Sequence, residues 1–303
     1  MKVIMNDSKR LKSTIYVLIA GIMWGLIGLF VRNLAKYDIP SMCIVFIRSF
    51  AGTILMALFL VIYDVSLFRI KLKDLWCFIG TGILSLTFFN LCYFTTMTLT
   101  SLSVSAILLY TAPSIVMLLS FFIFKERLNA RKIIAVVLAF IGCVLVTGVI
   151  GSSSKVPGFA ILTGLGAGFG YALYSIFARF ALNKGYHSFT VTFYTLFMSV
   201  VGSVAFFDSD ITFRIISDKP SMIGFMLLFG LISTTLPYIF YTLGLNGMES
   251  GKASIIASIE PVTATLVGVI VFHEGMTIMG MIGALVVLAS IVIVNTTPKH
   301  TNS

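Results

Sequence analysis

Charged residues are scarce in this sequence. Asp, Glu, Lys and Arg make up only 11% of the 303 residues, whereas soluble domains average about 25%. Hydrophobic residues make up 58%, and the mean hydropathy is +1.06. Apolar segments of about 20 residues, the length that crosses a bilayer, recur along the chain with almost no charge between their ends. This shortage of charge excludes a soluble globular protein and indicates an integral membrane protein.

Motifs for catalysis, metal binding and phosphate binding are also lacking. The sequence contains no HExxH, GxSxG or Walker pattern and no carboxylate pair of the glycosidase type. His187, His273 and His300 are isolated, and the four cysteines show no CxxC spacing. We therefore expect no catalytic residue, no metal site and no cofactor, and we interpret the cysteines as small buried side chains.

The long apolar runs predict an all-α membrane fold. They are continuous and lack the two-residue alternation of barrel strands, and helices satisfy every backbone group within hydrocarbon. Charges and turn residues divide the chain into ten predicted spans. These are roughly 14–31, 41–63, 75–97, 103–124, 131–150, 157–178, 188–207, 221–243, 252–272 and 277–295.

Lys and Arg are distributed unequally between the two sets of loops. With the N-terminus inside, the inside segments contain fifteen of them and the outside segments five. Arg179 and Lys184 are assigned to one inside loop in this count. The excess predicts a multi-pass protein of the cell membrane with both termini in the cytoplasm. It also explains most of the +10 net charge, so no nucleic-acid partner is expected.

The chain contains an internal duplication. Gly21-x-x-Trp24 recurs as Gly168-x-x-Tyr171. A second set of residues also recurs, and its two copies are one residue further apart in the sequence. That set pairs Tyr93, Pro113, Glu126 and Val144 with Tyr241, Pro261, Glu274 and Val292. Each half, 1–150 and 151–303, then has five spans. An odd number inverts the second half in the membrane, and the Gly-Ser-Ser-Ser stretch at 151–154 is the predicted linker.

Two ionisable residues lie inside predicted spans, Arg48 in the second and Glu260 in the ninth. A charge there costs at least about 2.5–3.5 kcal/mol, so such residues are candidates for function. One interpretation is that one or both line a water-filled cavity, where Glu260 binds a cationic group or a proton and Arg48 binds a carboxylate. The alternatives are a permanent Arg48–Glu260 ion pair that orders the bundle and an Arg48 side chain that extends to the interface.

Aromatic and amide side chains recur at one-turn spacing on several of the spans. An aromatic, partly polar cavity suits a small amphiphilic molecule. The alternative for each aromatic residue is an interfacial belt, which fits residues near span ends. The candidate substrate-binding residues, besides Arg48 and Glu260, are Trp24, Asn90, Tyr93, Tyr110, Tyr171, Tyr174, Tyr238 and Tyr241.

Three prolines interrupt predicted spans and are candidates for hinges or kinks: Pro113, Pro237 and Pro261. Glu126 and Glu274 follow two of them by the same interval, at span ends, where helix capping or loop ion pairing is expected. The glycines of 164–170 and of Gly280-x-x-Gly283 are interpreted as close contacts between helices.

These motifs resemble the EamA-type branch of the drug/metabolite transporter superfamily. The resemblance rests on Gly21-x-x-Trp24-Gly25, on Tyr110-x-x-Pro113 with Lys125-Glu126-Arg127-Leu128, and on Glu260-Pro261 with Glu274. It implies a ten-helix carrier whose first, third, fourth, sixth, eighth and ninth helices line a central cavity. The first repeat departs from the second by having Ala112 at the position of Glu260, so any charge coupling must be asymmetric.

The sequence thus predicts a secondary transporter that moves small metabolites by alternating access. Amino acids, amines or related organic ions are the expected substrates, efflux is the expected direction, and a proton is the candidate coupling ion. A channel or passive uniporter for small polar solutes is the alternative, because inverted repeats also occur in channels. The expected partners are the small-molecule substrate and the lipid bilayer, and the sequence makes no prediction about oligomers.

Overall fold

The computed structural model describes residues 7–147, 156–275 and 277–296. Every regular element within these ranges is helical, and no strand occurs in them. The predicted fold class is therefore confirmed as all-α. The linker predicted at 151–154 lies outside the described residues.

Ten long helical segments, labelled α1 to α10, run through the described chain. They are α1 (Asp7–Gly25 and Ile27–Leu34, with a final turn Ala35–Tyr37), α2 (Ser41–Tyr63), α3 (Leu75–Ile79, Gly80–Thr87 and Phe88–Leu99), α4 (Leu102–Leu109 and Ala112–Phe124), α5 (Ala130–Val146), α6 (Gly158–Asn183), α7 (Ser188–Ser203), α8 (Ser221–Gly230, Leu231–Thr235 and Leu236–Asn246), α9 (Ser250–Ala257 and Ile259–Phe272) and α10 (Ile278–Asn295). A short helix, Ser209–Asp218, connects α7 to α8.

Nine of the described segments, all except α5, are long and apolar enough to cross a membrane. The described part of α5 has 17 residues and packs along α10. The two helices approach closely, because a Cβ on Gly142 would lie 2.9 Å from the Gly283 carbonyl oxygen and one on Gly283 would lie 2.7 Å from the Gly142 oxygen. Large apolar side chains such as Ile62 and Ile270 are exposed on the outside of the bundle. The chain is a multi-pass membrane protein.

Helices α4 and α9 are broken at equivalent positions of the two repeats. The first piece of α4 ends at Leu109, shortly before Pro113, and the first piece of α9 ends at Ala257, shortly before Pro261. Proline has no N–H, so the carbonyl four residues earlier has no helical partner. These carbonyls belong to Leu109 and Ala257, and the interruptions thus follow from the prolines.

A glycine from another helix lies against each break. A Cβ on Gly21 of α1 would lie 3.0 Å from the Ala257 oxygen, and one on Gly168 of α6 would lie 3.3 Å from the Leu109 oxygen. Glycine permits this approach because it has no Cβ. The recurring Gly-x-x-aromatic motif thus brings α1 against the break in α9 and α6 against the break in α4.

Helices α3 and α8 contain equivalent wide turns. Gly80–Thr87 and Leu231–Thr235 have π-helical hydrogen bonding, the second just before Pro237. Thr87 Oγ1 donates to the Gly82 oxygen at 3.1 Å, and Thr235 Oγ1 donates to the Gly230 oxygen at 3.0 Å. The hydroxyls satisfy carbonyls that the wide turn leaves free.

Candidate functional site

A small cavity lies between the repeats at the centre of the bundle. Its residues come from α1, α3, α6 and α8, and its free volume is about 10 Å³, which is room for roughly one water molecule. The lining residues are Trp24, Ser85, Phe89, Tyr171, Tyr174, Ser175, Tyr238 and Tyr241. Five of the predicted site residues are therefore brought together, in a conformation too tight for a metabolite.

Trp24 is the centre of the aromatic wall. Its ring lies 5.4 Å from the ring of Tyr238 and 5.3 Å from that of Tyr241, measured between centroids. The ring of Tyr174 lies 4.8 Å from that of Tyr238. These spacings fall within the favourable range for aromatic pairs, so the rings fill the cavity and stabilise its closed form.

Two tyrosine hydroxyls of the wall form hydrogen bonds between α6 and α8. The Tyr174 hydroxyl lies 2.6 Å from Thr242 Oγ1, and the Tyr241 hydroxyl lies 2.7 Å from Ser175 Oγ. Both tyrosines are buried. These bonds fix the two rings and link α6 to α8.

Glu260 is connected to the cavity through Tyr171. The Tyr171 hydroxyl donates to Glu260 Oε2 at 3.1 Å, and the Tyr171 ring lines the cavity. Glu260 follows the break in α9 directly. Among the described residues it has no Lys, Arg or His within salt-bridge distance.

Arg48 is bound by a neutral partner. Its Nη2 donates to Asn90 Oδ1 at 3.1 Å, while Asn90 Nδ2 donates to the Leu86 oxygen at 2.6 Å. Arg48 is 7% exposed, and its Nε has no hydrogen-bond partner among the described residues. The permanent Arg48–Glu260 ion pair, one of the sequence-based alternatives, is absent from the salt bridges of the described chain. Neither residue lines the small cavity itself.

Tyr93 and Tyr110 lie outside the cavity lining. The ring of Tyr93 stacks on Phe89 at 5.8 Å, and Tyr110 packs against the main apolar core. Three lining residues were not predicted: Ser85, Phe89 and Ser175. Serine and phenylalanine are common in membrane helices, so the sequence contained little signal for them. Ser85 belongs to the wide turn of α3, and that turn is the feature that distinguishes it.

One end of the bundle is organised by Glu126, and we call it the Glu126 end. The Glu126 carboxylate accepts hydrogen bonds from Ser250 N at 2.7 Å and Gly251 N at 3.2 Å, so it caps the first turn of α9. Arg179 donates to the Met248 oxygen and to Ser250 Oγ. Arg179 was assigned to a loop from the sequence, and that assignment was wrong because α6 continues to Asn183.

The opposite end is organised by Glu274, and we call it the Glu274 end. Glu274 Oε1 lies 2.6 Å from Arg32 Nη1, and both side chains are about half exposed, at 50% and 47%. The Arg32 guanidinium also lies 4.2 Å from the centre of the Phe272 ring. Capping and ion pairing were the two roles expected for the span-end glutamates, and each glutamate has one of them.

Comparison with known proteins gives relatives of matching length. An uncharacterized transporter of Archaeoglobus fulgidus is 27% identical over 282 residues, which cover 91% of this chain and 94% of that protein. The uncharacterized transporter YwfM of Bacillus subtilis is 23% identical over 94% of both chains. A solved crystal structure superposes with a TM-score of 0.76 over 93% of this chain and 95% of the other, at 15% identity, and therefore shares the fold.

The family comparison covers almost the whole chain in two parts. The EamA-like transporter family matches residues 11–148 and again residues 158–296. The two matches correspond to the two halves in which the glycine motif, the broken helix and the wide turn each occur once. The chain therefore belongs to the EamA-like transporter family.

Proposed function

We propose that this protein is a secondary transporter that exports small organic ions, amino acids or related amines and carboxylates, by alternating access. The observation that carries the substrate class is the separation of its two intramembrane charges. Arg48 and Glu260 are each held by a neutral partner, Asn90 and Tyr171, and not by each other. A carboxylate and an amine on one small molecule would replace those weaker partners.

The proposed architecture is ten spans in two inverted repeats. Helix α5 supplies the tenth span, with its partner α10 beside it. Inversion is supported by the contact of Glu126 with Ser250, because it brings the end of α4 to the start of α9. Equivalent helices of the two halves then run in opposite directions, which is the arrangement that alternating access uses.

Alternating access is further supported by the closed centre and the unequal ends. The central cavity has room for about one water, so substrate binding requires the wall around Trp24 to open. The broken helices α4 and α9 contain Pro113 and Pro261 and supply candidate hinges for that opening. The proposal includes a cell-membrane location with both termini in the cytoplasm, and proton coupling through Glu260.

The test is flux into proteoliposomes that contain the purified full-length chain. Labelled amino acids, amines and carboxylates are offered under imposed proton and substrate gradients, with empty liposomes as the blank. We expect saturable uptake that is stimulated by unlabelled substrate on the opposite side. For Glu260→Gln we expect at least a tenfold loss of transport with little loss of folded yield, because glutamine keeps the hydrogen bond to Tyr171 but not the charge.

Two results would count against this proposal. Absence of flux for every compound under every gradient would reject the substrate class. Equal losses of yield and activity in Glu260→Gln would indicate a structural carboxylate. Thr263→Ala is the matched control. It removes a hydroxyl one turn from Glu260 that, within the described parts of the chain, bonds only to the Ile259 oxygen of its own helix.

A further inference from the structure

An open vestibule lies at the Glu126 end, away from the central cavity. Its volume is about 520 Å³, within the range of about 300–1,000 Å³ that is typical of ligand pockets. Its lining residues are Arg10, Glu126, Arg179, Asn246, Gly247, Met248, Glu249 and Lys252. The vestibule is large enough for a small organic ion or a phosphate group.

The two carboxylates of the vestibule already have partners. Glu126 accepts from the Ser250 and Gly251 amides, as described above. Glu249 Oε2 lies 2.5 Å from Lys132 Nζ. The start of α9 is therefore capped by the protein itself, and neither carboxylate forms a salt bridge with Arg10, Arg179 or Lys252 among the described residues.

The cations of the lining are not all satisfied. Arg10 donates to the Asn295 oxygen at 2.7 Å, and Arg179 donates to Met248 and Ser250. Lys252 lines the vestibule and is only 7% exposed, and its ammonium has no hydrogen bond or ion pair among the described residues. Removing a cation from water is costly even after relaxation and water penetration, and a directly bound anion offsets that cost.

We propose that the vestibule binds an oxyanion, a phosphate or carboxylate group, at the Lys252 ammonium, with Arg10 and Arg179 as further donors. Each guanidinium has N–H groups beyond those used in its present bonds. The anion supplies the directly bonded partner that the Lys252 ammonium lacks among the described residues. A free metabolite and an anionic lipid headgroup contain the same chemistry, so the experiment must separate them. The site is independent of which compound is transported through the centre.

The experiment measures thermal unfolding of the purified full-length chain in detergent. Inorganic phosphate is titrated against chloride at matched ionic strength, which holds general screening constant. In a second arm, dihexanoyl phosphatidylglycerol is compared with dihexanoyl phosphatidylcholine. The variant is Lys252→Met, and the matched control is Lys219→Gln, which removes an exposed lysine between the short connecting helix and α8.

We expect saturable stabilisation of the wild type and of Lys219→Gln by at least one anion, because ligands that bind only the native state raise its stability. For Lys252→Met, the anion concentration that gives half of the maximal stabilisation should be at least tenfold higher. Stabilisation by phosphate assigns a soluble ligand, and stabilisation by phosphatidylglycerol alone assigns a lipid headgroup. Equal stabilisation of the wild type and Lys252→Met by both anions would overturn the proposal.

A second measurement needs no variant and keeps the test decisive if Lys252→Met does not fold. Amine-reactive labelling of the wild type is followed by mass spectrometry with and without the anion. We expect the anion to slow labelling of Lys252 at least severalfold and to leave labelling of Lys219 unchanged. Unchanged labelling of Lys252 at anion concentrations up to 100 mM, roughly the limit of weak binding, contradicts the site.

Discussion

The Glu126 end and the Glu274 end have the same backbone but different side-chain contacts. Lys125 and His273 end α4 and α9 with left-handed φ angles of 56° and 55°. The next amide then bonds back in the same way, from Glu126 to Ser120 and from Glu274 to Gly268. Yet the Glu126 side chain binds the start of α9, whereas the Glu274 side chain binds Arg32.

The repeat relation shows what is missing at the Glu274 end. The counterpart of Ser250 is Leu102, the first residue of α4, and the first turn of α4 is capped locally, by Ser101 Oγ on Val104 N at 3.3 Å. The end of α4 and the start of α9 are therefore joined through Glu126, whereas Glu274 does not cap the start of α4. In the alternating access that we propose, these arrangements would be exchanged, so that Glu274 caps α4 when Glu126 releases α9.

The largest expected effect comes from fixing the Glu126 end. Glu126→Cys combined with Ser250→Cys, oxidised to a disulfide, should reduce transport at least tenfold, because α4 and α9 could no longer separate there. The readout is flux in proteoliposomes before and after a reducing agent, which should restore it. The single-cysteine variants treated in the same way are the controls, because, of the native cysteines, Cys43, Cys77 and Cys143 are buried but Cys92 is partly exposed. Normal flux in fully cross-linked protein would contradict the exchange.

Removing either glutamate alone should have a smaller effect than the cross-link, and the effect should be on stability. Glu126→Ala should lower the free energy of unfolding by about 1–3 kcal/mol, because two amides at a helix N-terminus lose a charged acceptor. Glu274→Ala should cost at most about 1 kcal/mol, since its ion pair with Arg32 is half exposed. Both are measured as thermal unfolding in one detergent. Similar costs at the two ends would mean that the structural difference has no energetic counterpart.

The smallest effect concerns the Arg32–Glu274 pair alone. A double-mutant cycle with Arg32→Ala and Glu274→Ala should give a coupling energy of about 0.2–1 kcal/mol that decreases in high salt, because exposed charges are screened. Unfolding is compared at low and at 1 M salt, where the Debye length falls to about 3 Å. A larger, salt-independent coupling would indicate that the pair is desolvated in the native state.

Much of the fold could be predicted from the sequence because its causes are local. Hydropathy identified the helices. The prolines predicted the interruptions of α4 and α9, because proline has no N–H to donate a helical hydrogen bond. The glycines of 164–170 and of Gly280-x-x-Gly283 predicted close helix contacts because glycine has no Cβ. Four of the aromatic residues that line the cavity, Tyr171, Tyr174, Tyr238 and Tyr241, also followed from their one-turn spacing on the helices.

The details of the site could not be predicted in the same way. Asn90 was recognised as a polar residue within a span, but not as the partner of Arg48, which comes from a different helix. Ser85, Phe89 and Ser175 line the cavity through the relative rotation of α3 and α6. The sequence contains no direct measure of that rotation, because it results from the packing of all neighbouring helices.

The sequence by itself determined a duplicated, all-helical membrane protein with one extra carboxylate, Glu260, beside a proline that both repeats share. Those features depend on residue type and spacing. Only the tertiary structure decided that Glu260 binds Tyr171, that the cavity beside it is closed, and that Glu126 and Glu274 bind different partners. The physical reason is that hydrogen bonds and ion pairs between helices require atoms to meet within about 3 Å, and that distance is set by how the helices pack.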